Sequence, residues 1–120
     1  KTLSVDGVNS IIGLAVNETD LLHHIDQHKL QASLDWIRDA AHNGADFGVL
    51  TKRLLEILHQ LLLTKNEIEV KVLGEYNFTE KEILRLMKLF QEAYRQLKYT
   101  PIEQLPLEIA VAEFISIRQN

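Results

Sequence analysis

The chain has 120 residues, with 13 basic and 17 acidic side chains and a net charge of -4 when the histidines are neutral. That length fits one domain with a real core, and the absence of cysteine excludes both a disulfide frame and a thiolate metal site. The acid excess argues against broad wrapping of a nucleic-acid duplex, no apolar run approaches the ~18 residues of a membrane span, and no secretory signal pattern is present.

Residues 1–18 carry a short helical stripe through Val5, Val8, Ile11 and Ile12, interrupted by Gly7 and Gly13. This predicts a short helix near 5–13 and a turn around Asn17, with 1–18 as a helix and linker leading from something upstream. The first residue is Lys1, which reads as a fragment or processed product. Thr19-Asp20 then caps a second short helix carrying Leu21, Leu22 and Ile25. Asp26-Gln27-His28 forms a corner, with Asp26 placed to cap the next helix.

A third helix is expected from about 29 to 43, where Leu30, Trp36, Ile37 and Ala40 mark an apolar face and Gln31, Asp35, Arg38 and Asp39 a wet one. Asn43-Gly44 ends it, because either residue takes the left-handed C-cap and glycine does so without a side-chain clash. The fourth begins near 46–48 and reaches at least Thr64. Its leucines at three- and four-residue spacing spread over a broad arc, which implies contacts on two sides. Residues 66–78 alternate briefly through Ile68, Val70 and Val72, but a single strand has no partner, so a helical continuation ending at Gly74 is expected.

The fifth helix, over 79–97, organises the rest. Ile83, Leu86, Met87, Phe90, Ala93, Tyr94 and Leu97 recur at helical spacing, and Thr79 with Glu82 forms a capping box. Pro101 biases its predecessor away from helix, and Pro106 fits the first turn of a last helix running to about Ile117. That helix is so apolar that it should be wedged between partners. The expected fold is all-α: a compact bundle of about five to six helices, with 19–120 as the helical domain.

Catalysis finds no anchor. Asp20, His24 and His28 are four apart, a spacing that gathers ligands on a continuous helix, but the corner at 26–28 interrupts it and no third strong ligand follows. His42 and His59 have no nucleophile nearby, and Ser4, Ser10, Ser33 and Ser116 lack a strand-turn-helix setting. Glu67, Glu69, Glu75, Glu80 and Glu82 read as a solvated edge. No glycine-lysine phosphate loop exists, so the expectation is no catalytic residue, no metal and no cofactor in this chain. The helices are nevertheless too apolar for a monomer to cover comfortably. Arg85, Lys88, Tyr94, Leu107, Val111 and Phe114 are the candidate interface residues on that ground alone, and the double change of Val111 and Phe114 to alanine is expected to weaken self-association.

The segment ILRLMKLFQEAYRQLKYTPIEQLPLEIAVAEF resembles the closing helices of domain III of the bacterial DNA polymerase III gamma/tau subunit. Glu92, Ala93, Arg95, Leu97, Lys98 and Tyr99 match that family's E-A-x-R-x-L-K-[WY] segment, Pro101 its bend, and Leu107, Glu108, Ile109 and Ala110 the entry of its last helix. Upstream, LLHHIDQHKLQASLDWIRDAAHNGADFGVLTKRLLEILHQLLLTK is similar to the same domain's run of short helix, corner, helix, glycine-aspartate turn and long helix. The resemblance implies a helical collar that joins clamp-loader subunits into a ring, as a homo- or hetero-oligomer. The ring would load the sliding clamp onto primed DNA within a DNA-directed DNA polymerase complex, a nucleotidyltransferase, in the cytoplasm. An AAA+ module using ATP and magnesium would lie upstream, and this segment would touch neither nucleic acid nor membrane. The alternatives are a free-standing helical adaptor for a peptide or helix and, more distantly, a hydrolase needing Asp20, His24 and His28.

Overall fold

The computed structural model describes residues 17–65 and 76–118. They form five helices and no strand: α1 (Glu18–Asp26), α2 (Leu30–His42), α3 (Phe47–Lys65), α4 (Glu80–Gln96) and α5 (Leu105–Arg118). The all-α bundle expected from the periodicity is the observed fold. The helix anticipated near 5–13 and the continuation to Gly74 lie outside the described residues.

Side chains cap the starts of α1, α3 and α4, and two starts differ from expectation. At α1 the cap is Asn17, not Thr19-Asp20: its side-chain oxygen accepts the Thr19 N–H at 3.1 Å, and Glu18 and Asp20 lie in the first turn where the helix dipole favours acids. The second difference is at α2, which starts without Asp26. Lys29 holds the N-cap position with no side-chain bond, while Ser33 donates its hydroxyl to the Lys29 carbonyl at 2.8 Å. At α3, Asp46 Oδ1 accepts from Gly48 N and Val49 N at 3.0 and 3.2 Å. At α4 the capping box is complete, with Glu82 N donating to Thr79 Oγ1 at 3.1 Å and Thr79 N to Glu82 Oε1 at 2.8 Å. Between α2 and α3, Gly44 takes φ +77°, the left-handed conformation that ends a helix cheaply only with glycine.

The helices close into a ring of neighbours. α4 packs between α3 and α5, α5 also meets α2, α2 meets α1, and α1 returns to α3. The enclosed core draws on every helix: Leu21, Leu22 and Ile25 from α1, Ile37 and Ala40 from α2, Leu50, Leu54 and Leu58 from α3, Ile83, Leu86 and Phe90 from α4, and Leu107, Val111 and Phe114 from α5. Burying one such leucine, isoleucine or phenylalanine contributes about 1.5–3 kcal/mol, which is why these positions rather than the surface ion pairs hold the bundle. Arg53 to Glu18 at 3.2 Å adds a link between α3 and α1.

Candidate functional site

Among the described residues, the Asp, His and Ser side chains singled out from the sequence do not converge on one site. Among the described residues, no group of three or more His, Cys, Asp or Glu side chains could hold a metal ion. Asp20 and His24 lie on α1, but the helix stops at Asp26 and His28 turns to φ 60°, so the four-residue register never reaches His28. His42 and His59 are exposed on α2 and α3. Ser33 is fully buried and its hydroxyl is committed to the Lys29 carbonyl. Glu82 belongs to the capping box.

Three features carry information that the linear pattern did not. Asp26 is almost fully buried, and its Oδ2 accepts the Asn77 N–H at 2.8 Å, clasping the end of α1 to the approach of α4. Beside it, a stack of rings runs through the bundle: His23 on Tyr76 at 4.5 Å, Tyr76 on Phe78 at 5.9 Å, and Phe78 edge-on to Phe114 at 6.2 Å. Burial, reinforced by the negative charges of Asp20 and then Asp26, pushes the Tyr76 phenol up to about 12. At the far end of the stack the Arg85 guanidinium lies 5.3 Å from the Phe114 ring centre, with Nε and Nη2 buried and without hydrogen-bond partners. Apart from Tyr76 on Phe78, two residues apart in one segment, each of these contacts joins residues from different elements, so no spacing rule could have found them.

The candidate interface residues divide. Leu107, Val111 and Phe114 are at most 1% exposed, so they are core side chains of the chain itself. Chain geometry thus changes the expected consequence of altering them, because alanine at Val111 and Phe114 would unpack the fold before it tested any contact between chains. Arg85 is half-buried against Phe114. Lys88 and Tyr94 are exposed, Tyr94 at 45%. Phe90 is core, and Trp36 packs half-buried against that core.

Among the described residues, large apolar side chains are exposed at Val49 on α3, at Leu84 and Tyr94 on α4, and from Tyr99 through the loop into α5. Ile102, Leu105 and Ile109 are 48%, 37% and 53% exposed, forming an apolar strip on the outer side of α5 and the loop before it. Next to the strip a groove of about 320 Å³ runs between the two helices, floored by Leu89, Ala93 and Ala110 and rimmed by Glu92 and Glu113. Hydrogen bonds from Gln96 and then Arg95 hold the Glu92 carboxyl below its usual range.

No curated protein matches the chain. The family model for DNA polymerase III subunits gamma and tau domain III matches residues 3–96. That span takes in α1 to α4 and ends at Gln96, the last residue of α4, so α5 and the Pro101 bend lie beyond it. The segment whose motifs carried the resemblance therefore straddles the end of the match, while the upstream helices fall wholly within it. With most of its length covered, the chain belongs to the family of DNA polymerase III gamma and tau domain III.

Proposed function

We propose that this chain is a subunit-joining collar of a DNA polymerase III clamp loader. In that role it holds ATPase-bearing subunits in a ring that loads the sliding clamp onto primed DNA in the cytoplasm. ATP and magnesium would be handled by a separate module, and the collar would work through protein contacts rather than by touching nucleic acid or membrane. The observation that carries the reading is the family match, and the exposed apolar strip of α5 supports it, because a helix face of Leu105 and Ile109 left in water is best used by covering it with protein.

Sedimentation of the 120-residue chain across a wide concentration range tests this. Reversible growth to three or more copies is the expected result. A mass that stays at 13.8 kDa throughout would remove autonomous self-assembly, leaving a collar that depends on its ATPase modules or other subunits, or the adaptor reading in which the α4–α5 groove takes a foreign helix.

A further inference from the structure

Arg85 carries a charge into the seam between α4 and α5. Its guanidinium lies over the Phe114 ring, and both Nε and Nη2 are buried without an acceptor. Among the described residues no carboxylate pairs with it, although Arg38, Arg53 and Arg95 each have one. A ring face attracts a cation but offers no oxygen to the two N–H groups. A guanidinium removed from water without an acceptor destabilises a fold, and an apolar side chain of similar length would fill the same space without that loss.

Nε and Nη2 form one edge of the guanidinium, whose paired N–H groups grip two oxygens of a single anion at once. Two more cations flank it on α4: Lys81 one turn before and Lys88 one turn after, both exposed. The acids in the neighbourhood are placed otherwise. Glu82 accepts the Thr79 N–H. Glu92, two turns on, accepts from Arg95 and Gln96. Exposed Glu80 lies nearer Leu84 than Arg85 around the helix. Glu113, beside Phe114 in α5, lines the groove with Leu89 and Ala110. We infer that Lys81, Arg85 and Lys88 form a binding site for a dianionic phosphate group. Three cations within two turns exceed what one carboxylate neutralises, whereas a tetrahedral phosphate has oxygens for the guanidinium edge and for both ammoniums. The flexible lysine stems let the two ammoniums converge on it. Arg85 is half-buried, so its edge reaches the surface by turning about side-chain bonds and leaving the Phe114 face. This site is separate from the subunit-joining role and would survive the failure of that role.

The test follows urea unfolding of the 120-residue chain as inorganic phosphate is raised, with ionic strength held constant by sodium chloride. The wild type is compared with Arg85→Met and with the double variant Lys81→Gln, Lys88→Gln, each checked for helicity by circular dichroism. In chloride alone, Arg85→Met should be more stable than the wild type, because it keeps the packing on Phe114 and drops an unpartnered charge. Phosphate at ten times its Kd should lower the wild-type unfolding constant about elevenfold. Phosphate also stabilises proteins by exclusion from their surfaces, and that component should appear in all three chains. The remainder should be lost in Arg85→Met and weakened in the lysine variant, which alters exposed side chains alone and leaves the seam undisturbed. Equal responses in the three chains would overturn the site. So would an Arg85→Met chain less stable than the wild type in chloride, since the guanidinium would then be satisfied where it lies. A single-stranded oligonucleotide without a terminal phosphate that binds more tightly than phosphate, through the same three side chains, would assign the patch to a nucleic-acid backbone and overturn it as well.

Discussion

Helices α4 and α5 pack side by side yet encode their burial in opposite ways. In α4 the apolar residues gather on one side and charged residues occupy the other, so the sequence alone tells which face goes inward. In α5 apolar residues run all the way round, and nothing in its pattern separates Leu107, Val111 and Phe114, which are sealed in the core, from Leu105 and Ile109, which meet solvent. The contrast teaches that strong amphipathicity announces a monomer's own core, whereas an apolar helix without a preferred side leaves that choice to its neighbours. Among the described residues, α4 and α2 pack against α5 while Leu105 and Ile109 stay exposed.

The contrast can be broken most sharply within α5 itself. Phe114→Ala removes a ring packed on Phe78 and under Arg85 and should cost about 3–5 kcal/mol in urea or guanidinium unfolding. Ile109→Ala, five residues earlier and equally apolar by type, should stay within about 0.5 kcal/mol, since its side chain is already half in water. Equal losses at the two sites would mean that α5 buries a different side.

A smaller effect probes whether α4 is as locally specified as its pattern implies. Thr79→Ala deletes the acceptor for Glu82 N and should destabilise by about 1 kcal/mol, with α4 melting only on global unfolding because the helix is also the packing centre. No loss would show that tertiary packing alone starts the helix.

The smallest concerns the approach to α4, where Tyr76 stacks on His23 beside Asp26. Its phenol ionises near 12 when folded and near 10.0 when unfolded. The folded state therefore retains a proton that the unfolded state loses, so the stabilisation is fully present below pH 10 and is lost as pH rises towards 12. After allowance for solvent screening of a partly exposed ring, the loss is on the order of 1 kcal/mol. A Tyr76→Phe variant should lack this component, and the difference between the two chains' denaturation midpoints across pH 9–12 isolates it from the titration of other groups. Parallel curves would remove the phenol from the linkage.

Much of the bundle is legible in the residues alone. Helical spacing locates α2, α4 and α5 and the start of α3 to within a residue or two, the Thr79–Glu82 box marks where α4 starts, and Gly44 marks the turn after α2. These signals are local: a cap, a left-handed glycine and a periodic stripe each act within a few residues. The expected cap of α1 is off by two or three positions because Asn17, Thr19 and Asp20 are all competent caps, and the choice among adjacent competent residues depends on where the chain enters. Asp26 departs from expectation for a related reason. A carboxylate at a helix boundary normally serves the next helix, yet this one reaches Asn77, and only the fold brings that N–H within 2.8 Å.

The sequence by itself thus determined the helices, their order, the inward face of α4 and, through residues 3–96, the family. Tertiary structure decided which side of α5 is core, how His23, Tyr76, Phe78 and Phe114 stack, and why Leu107, Val111 and Phe114 serve the chain's own interior while Leu105 and Ile109 stay exposed. The physical reason is range. Capping and periodicity are read from neighbours in the chain, but burial of a uniformly apolar helix is set by whichever surfaces the rest of the molecule brings against it.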